Sequence, residues 1–200
     1  MRVYIGLGAN VGDAPRTLAG AVCALAALPG AHLVGVSRAY LTRPVGVADQ
    51  PSFYNAAVAL DVPRGPTAEV GATALLIALK GLERAFGRQH RRRWGPRELD
   101  LDLLIFGRHR IHVARVAAAR SADPGRAGVQ WLDVPHASAG ERLFVLAPLA
   151  DLAPGLVPPG WHRTIATARD ERVAVEGADA ARAVGTWEPA ARRWVEAPVG

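Results

Sequence analysis

Asp100 and Asp102 are separated by a single leucine in the run LDLDLL, residues 99–104. Side chains of an extended chain alternate between two faces, so the two carboxylates share one face while Leu99, Leu101, Leu103 and Ile105 line the other. Same-face neighbours on a strand stand roughly 7 Å apart, and two ionised aspartates at that spacing repel unless a cation lies between them. A hard divalent ion such as magnesium prefers oxygen ligands and meets that need. Immediately upstream stand Arg91, Arg92, Arg93, Trp94 and Arg97, with Gly95 and Pro96 imposing a turn. Guanidinium groups bind phosphate oxygens two at a time, so a cation with arginines beside it is equipment for a polyphosphate. The same alternation also suits an ordinary antiparallel strand with one solvated face. Against that plainer reading stand the apolar Leu104, next on the acidic face, and the arginine-bearing loop that feeds it.

Arg97, Asp100, Leu101, Asp102, Leu103 and Leu104, behind Trp94, Gly95 and Pro96, resemble the signature of the 6-hydroxymethyl-7,8-dihydropterin pyrophosphokinase family. The resemblance implies an ATP-dependent diphosphokinase of folate biosynthesis, which moves the diphosphate of ATP onto a pterin hydroxymethyl group and leaves AMP. It implies two Mg2+ ions held by Asp100 and Asp102, with Arg88, Arg93 and Arg97 completing the catalytic group. The family's pterin pocket maps onto Thr42, Pro44, Val45, Gly46, Phe53, Asn55 and Phe144. Its ATP contacts map onto Lys80, Glu83, Trp94, Arg97, Leu103, His136 and Arg142. Phe53 stands where the family often has tyrosine, which keeps the ring face and loses a hydroxyl.

The elements that must position these residues follow from periodicity. Residues 2–8 alternate Val3, Ile5 and Leu7 and read as a strand that ends in a turn-rich segment. Asp13 is a helix cap with Pro15 in the first turn, followed by Leu18, Val22, Leu25 and Leu28 at helical spacing. Gly6 and Gly8 do not have the spacing of a phosphate-binding loop. Residues 32–41 and 53–62 read as two further strands. In the second of these Phe53 and Asn55 share a face, a pair able to stack on a flat heterocycle and read its edge, or equally to serve packing and a turn. Gly65, Pro66 and Thr67 open a second helix whose apolar stripe is Leu75, Leu79, Leu82 and Phe86, with Gly87 as its stop. Lys80 and Glu83 sit off that stripe and read from spacing as a solvated surface pair. Strand, helix, strand, strand, helix, strand is a βαββαβ order, the plan of a ferredoxin-like α+β fold: two helices on one face of an antiparallel sheet, the other face free for the aspartates and ligands.

Beyond Phe106 the chain is less regular. Residues 108–130 form an insertion expected to be a disordered basic loop. His136, Arg142 and Phe144 resume the family pattern, and residues 144–156 resemble its closing helix. The expected organisation is a pyrophosphokinase domain over residues 1–162 and a C-terminal extension over 163–200. In the extension, residues 173–175 and 187–195, with Trp187 and Trp194 flanking residues 188–191, together suggest a terminal hairpin.

Composition sets outer bounds. Two hundred residues with 50% hydrophobic content suit one domain with a real core. The lack of a long apolar run or a leader points to a cytoplasmic protein with no membrane contact. Cys23 is the one cysteine, which fits a reducing compartment. The net charge of +6 favours anionic ligands, yet with Lys80 as the one lysine it reflects a preference for arginine more than a nucleic-acid surface. The expected partners are ATP and hydroxymethyl-dihydropterin, bound by a monomer that contacts other folate-pathway enzymes. Two rivals use similar parts: a two-metal nucleotidyl-transfer enzyme on a ferredoxin-like sheet, and an RNA-binding sheet with Phe53 and Phe144 as stacking platforms.

Overall fold

The computed structural model describes residues 1–44, 49–88, 95–120 and 128–196. Strand β1 (Arg2–Ala9) leads to helix α1 (Ala14–Ala26), which starts where the Asp13 carboxylate accepts from the Arg16 backbone N–H at 3.1 Å. Strands β2 (His32–Val36), β3 (Ala39–Thr42) and β4 (Phe53–Asp61) follow, then helix α2 (Ala68–Ala85), capped by the Thr67 hydroxyl. Strand β5 (Asp100–Phe106) completes the core, which follows the βαββαβ plan with its second strand divided into β2 and β3. The sheet order is β5-β1-β4-β3, and every pairing is antiparallel. Helices α1 and α2 pack on one face, where Leu18, Val22, Leu25, Leu75 and Leu79 meet Ile5, Leu60, Leu101 and Leu103.

Three expectations are corrected here. Residues 32–41 are two strands, because Ser37 interrupts the run: its hydroxyl accepts from the Ala57 N–H at 2.8 Å and donates to the Arg38 carbonyl at 2.7 Å. Ile105 does not share the face of Leu99, Leu101 and Leu103. The register of β5 on β1 shifts so that Tyr4 faces Ile105 while Ile5 faces Leu103, leaving Leu104 as an extra residue. Such a bulge turns the side chains beyond it to the opposite side, and Leu104 and Ile105 both join the core on the carboxylate side. That side is not wholly free either. Helices α3 (Leu143–Leu152) and α4 (Ile165–Glu176) cover it with Leu146, Leu149, Ile165 and Ala168, over Tyr4, Ala59, Leu104 and Ile105.

The insertion is more ordered than expected. Strand β6 (Ile111–Ala114) pairs with β7 (Trp131–Val134), and Ile111, Ala119, Leu132 and Val134 are buried in the helix-side core; residues 121–127 lie outside the described residues. In the extension, residues 173–175 are helical and belong to α4, which the Thr164 hydroxyl caps and Gly177, at φ 87°, ends. Strands β8 (Ala181–Glu188) and β9 (Arg193–Val195) then form a hairpin. Strand β8 pairs with β3, and the Trp194 indole N–H donates to the Ser37 carbonyl at 2.8 Å, so the extension continues the sheet at the break between β2 and β3. No described helix is long and apolar enough to cross a membrane.

Asp151, near the end of α3, ties the two layers together. It accepts from the Arg38 backbone N–H at 3.0 Å, from the Arg38 guanidinium and from the buried Tyr40 hydroxyl at 3.0 Å. Burial, then the charge of Asp151, pushes the Tyr40 phenol well above its ordinary pKa, so it remains a donor. Asp151→Ala is expected to cost about 1–3 kcal/mol in chemical denaturation, the penalty for stranding such donors; an unchanged midpoint contradicts this linkage.

Candidate active site

Directly opposed residues of an antiparallel pair share a face, so the sheet register lays out the site. One row runs Asp100, Gly8, Asn55, Tyr40, and the next runs Asp102, Gly6, Ala57. The two carboxylates and the Asn55 amide therefore flank a floor made of glycines. A Cβ on Gly8 would lie 3.1 Å from Asn55 Oδ1, and one on Gly6 3.3 Å from Leu104 Cδ1. On the far side the buried Asn55 amide donates to the Thr42 hydroxyl at 2.8 Å, which leaves its oxygen toward the trough. Phe53 pairs with Thr42 across β3 and β4 and is half-buried, as is Pro44.

The acidic side is a network of charges. Asp100 accepts from Arg88 Nη1 at 2.6 Å and forms a close ion pair with Arg97. Burial works against its ionisation, but the charges of Arg97, Arg88 and Lys80 outweigh burial and hold the carboxyl well below the usual carboxylate range. Behind it Glu83 is 2% exposed. Its Oε1 meets Lys80 Nζ at 2.7 Å, Arg88 Nη1 at 2.5 Å and the Leu101 N–H at 2.8 Å. Burial pushes its carboxyl up against the pull of Lys80. Lys80 and Glu83 are thus a buried clamp between α2 and β5, not a solvated surface pair, because the helix lies directly on the strand. Asp102 differs from Asp100: among the described residues its carboxylate has no hydrogen-bond or ion-pair partner, and it is partly exposed on the trough face.

The remaining expected residues divide clearly. The His136 N–H donates to the Leu104 carbonyl at 2.9 Å, which sets the histidine beside β5 just beyond the carboxylates. The Arg142 guanidinium lies 5.7 Å from the Phe144 ring centroid, at the start of a helix that packs on β4 and β3. The Leu103 side chain points into the helix-side core instead of the carboxylate face. Val45, Gly46, Arg93 and Trp94 lie outside the described residues. Missing from the expected set are the glycine floor and Asn10. Asn10 is buried; its side-chain oxygen accepts from the Arg97 N–H at 2.7 Å, and its amide donates to Gln50 Oε1 at 3.2 Å and the Pro51 carbonyl at 3.0 Å. It joins the loop carrying Arg97 to the loop leading into β4. The recurrence of Tyr4, Gly6 and Gly8 on one face of a strand was the available signal for the floor; Asn10 left none.

Charges of both signs beside a glycine-floored sheet face suit a reaction that moves phosphate, and on this sheet they fit the ferredoxin-like enzymes of nucleotide-dependent diphosphate transfer. Residues 4–154 match the family described as 7,8-dihydro-6-hydroxymethylpterin-pyrophosphokinase (HPPK). The 2-amino-4-hydroxy-6-hydroxymethyldihydropteridine pyrophosphokinase of Methylorubrum extorquens is 43% identical over 159 residues, covering 80% of this chain and 87% of that one. The enzyme of the same name from Pseudomonas aeruginosa is 41% identical over 162 residues, 80% of this chain and 86% of that one. The crystal structure of wild-type Plasmodium falciparum HPPK-DHPS has the same fold at a TM-score of 0.64 and 13% identity; the match takes in 98% of this chain but 48% of that one, about half its length. The chain belongs to the HPPK family.

Because the Asp100 pKa is depressed in the folded state, its contribution to stability is present above the ordinary carboxylate range near pH 4 and is lost as pH falls through and below it. Wild type is therefore expected to lose stability relative to Asp100→Asn as acid is added, read by denaturant unfolding at a series of pH values. A difference that stays constant from neutral pH to about pH 3 rules out this pairing. For the floor, Gly8→Val is expected to raise the KM for pterin about tenfold or more while the protein stays folded; an unchanged KM means the trough is not where the ligand lies.

Proposed function

We propose that this chain transfers the diphosphate of ATP to the hydroxymethyl group of 6-hydroxymethyl-7,8-dihydropterin, releasing AMP and the pterin diphosphate, as a step of folate biosynthesis. The observation that carries the reading is the pair of carboxylates on one face over a floor of glycines: Asp100 held by Arg88 and Arg97, and Asp102 without a hydrogen-bond or ion-pair partner among the described residues.

The donor set fits magnesium. Asp100 and Asp102 offer hard oxygens two residues apart, and no cluster of three or more acidic, histidine or cysteine side chains completes a protein-only cage among the described residues. Magnesium is commonly bound through one or two carboxylates, with water and substrate phosphates in the other positions. When bound, two Mg2+ ions would neutralise phosphate charge and acidify the attacking hydroxyl. Arg88 and Arg97, now paired with Asp100, exchange that partner for phosphate oxygens and together with Arg93 offset charge on the transferring and leaving groups. Asp102 is the carboxylate left to take the hydroxyl proton. Asn55 reads the pterin edge, Thr42 holds the amide in place, and Phe53 and Phe144 supply ring faces, with Pro44, Val45 and Gly46 as the adjoining loop. His136, Arg142 and Trp94 contact ATP; Lys80, Glu83 and Leu103 support that side from behind. Since the expected transition state is loose, positioning and charge carry most of the rate.

The trough is formed within one chain, which supports action as a monomer. The lone cysteine supports a reducing cytoplasmic setting. Structural likeness to HPPK-DHPS chains supports contact with a second enzyme of the pathway.

Asp102→Ala is expected to lower AMP formation by three orders of magnitude or so, with the thermal midpoint near that of wild type. A near-normal rate defeats the metal assignment. Phe53→Ala is expected to weaken pterin binding about tenfold, the scale of one lost ring contact, and ATP binding much less. An equal loss of both ligands contradicts the stacking role.

A further inference from the structure

Strand β9 and the turn before it pack against α1, and between them lies a cavity of about 790 Å³. Asp13 and Arg16 line it from the start of α1, Phe86 from the end of α2, and Arg192, Arg193 and Trp194 from the hairpin. Its volume is within the roughly 300–1,000 Å³ typical of small-molecule sites. The family match ends at residue 154, so the hairpin side of this cavity is made by residues beyond it.

The charge around the cavity is unbalanced. Among the described residues the guanidinium groups of Arg16, Arg192 and Arg193 have no ion pair or hydrogen bond. One carboxylate, Asp13, shares the lining, and it already accepts from the Arg16 backbone N–H. Glu188 stands opposite Arg193 in the hairpin, with its Oε1 accepting from the Ala190 N–H at 3.2 Å. Isolated surface arginines are ordinary, but these three surround one concavity with an indole and a phenyl ring beside them.

The backbone adds a second observation. Arg192 has φ 50°, in the left-handed region that glycine enters freely and a residue with a Cβ enters at a cost of about 1 kcal/mol. Glycine would close the same turn more cheaply, so turn geometry does not account for an arginine at this position. Residues held in such conformations gather at ligand sites, where the side chain repays the backbone.

We infer that the cavity between α1 and the β8–β9 hairpin binds a multiply charged organic anion. Arg16, Arg192 and Arg193 hold its acidic groups, and its apolar part lies against Trp194 and Phe86. Guanidinium groups pair with phosphate and carboxylate in the same two-pronged geometry, so a phosphate ester and a polycarboxylate are two sources of one chemistry. This site is separate from the trough and does not depend on the reaction assigned there.

The test is calorimetric titration of the full chain with two probes, 1-naphthyl phosphate and benzene-1,3,5-tricarboxylate, at low and moderate salt. At least one probe is expected to bind saturably at one site. Its affinity should fall tenfold or more in Arg192→Ala/Arg193→Ala and in Arg16→Ala, and stay within about twofold in Asp102→Ala. Binding of the phosphate alone assigns the site to phosphate esters; binding of the tricarboxylate alone assigns it to polycarboxylates. No binding of either probe overturns the inference. So does undiminished binding in the arginine variants, or a change confined to Asp102→Ala. Arg16 lies on a helix of the family-matched core, so its variant keeps the test decisive if the hairpin variant does not fold.

Discussion

The charge on Asp100 is the constraint around which the structure is arranged. A carboxylate held largely out of water is tolerable only where cations and donors compensate it, and three elements are brought together to do so. The segment just after α2 provides Arg88, the loop before β5 provides Arg97, and Lys80 contributes from within α2. Glu83 extends the arrangement inward: one oxygen gathers Lys80, Arg88 and the Leu101 N–H, fastening the helix to the strand. The result is a charged wall beside Asp102, a carboxylate with no hydrogen-bond or ion-pair partner among the described residues.

A wall of charge is of use only next to open space. Along β1 the residues facing the trough are Gly6 and Gly8, so the sheet itself is the floor and a ligand can approach the backbone. The bulge after Leu103 divides the carboxylate face into two regions. Past it, Leu104 and Ile105 are covered by α3 and α4; before it, Asp100 and Asp102 remain accessible. The same strand thus serves as core and as active surface, and one extra residue marks the boundary. Asn10 sets the two loops of the trough relative to each other, since one side chain bonds to both.

Much of this was legible beforehand where short-range rules apply. The alternation at residues 99–103 set the aspartates on one face, Asp13 capped the helix it was expected to cap, the second helix opened just after residues 65–67, and the order of elements implied the ferredoxin-like sheet. What misled were residues whose role depends on a distant partner. Ser37 looks like any strand residue until Ala57 is opposite it. Residues 173–175 alternate like a strand, but a cap at Thr164 and a stop at Gly177 make them a helix. Lys80 and Glu83 have the spacing of a surface pair, and only the strand lying against α2 turns them into a buried clamp.

By itself the sequence determined which side chains share an element and a face, because those relations follow from backbone periods of two and 3.6 residues. The longer signature from Trp94 to Leu104 resembled one family, and that resemblance supplied the chemical class that the spacing of the aspartates alone left open. The tertiary structure alone decided which of two similar aspartates is paired among the described residues, how far the covering helices extend, and that a hairpin far down the chain lines an arginine-bearing concavity against α1. The reason is physical: burial, charge balance and strand register are set by residues distant along the chain, and no local period encodes them.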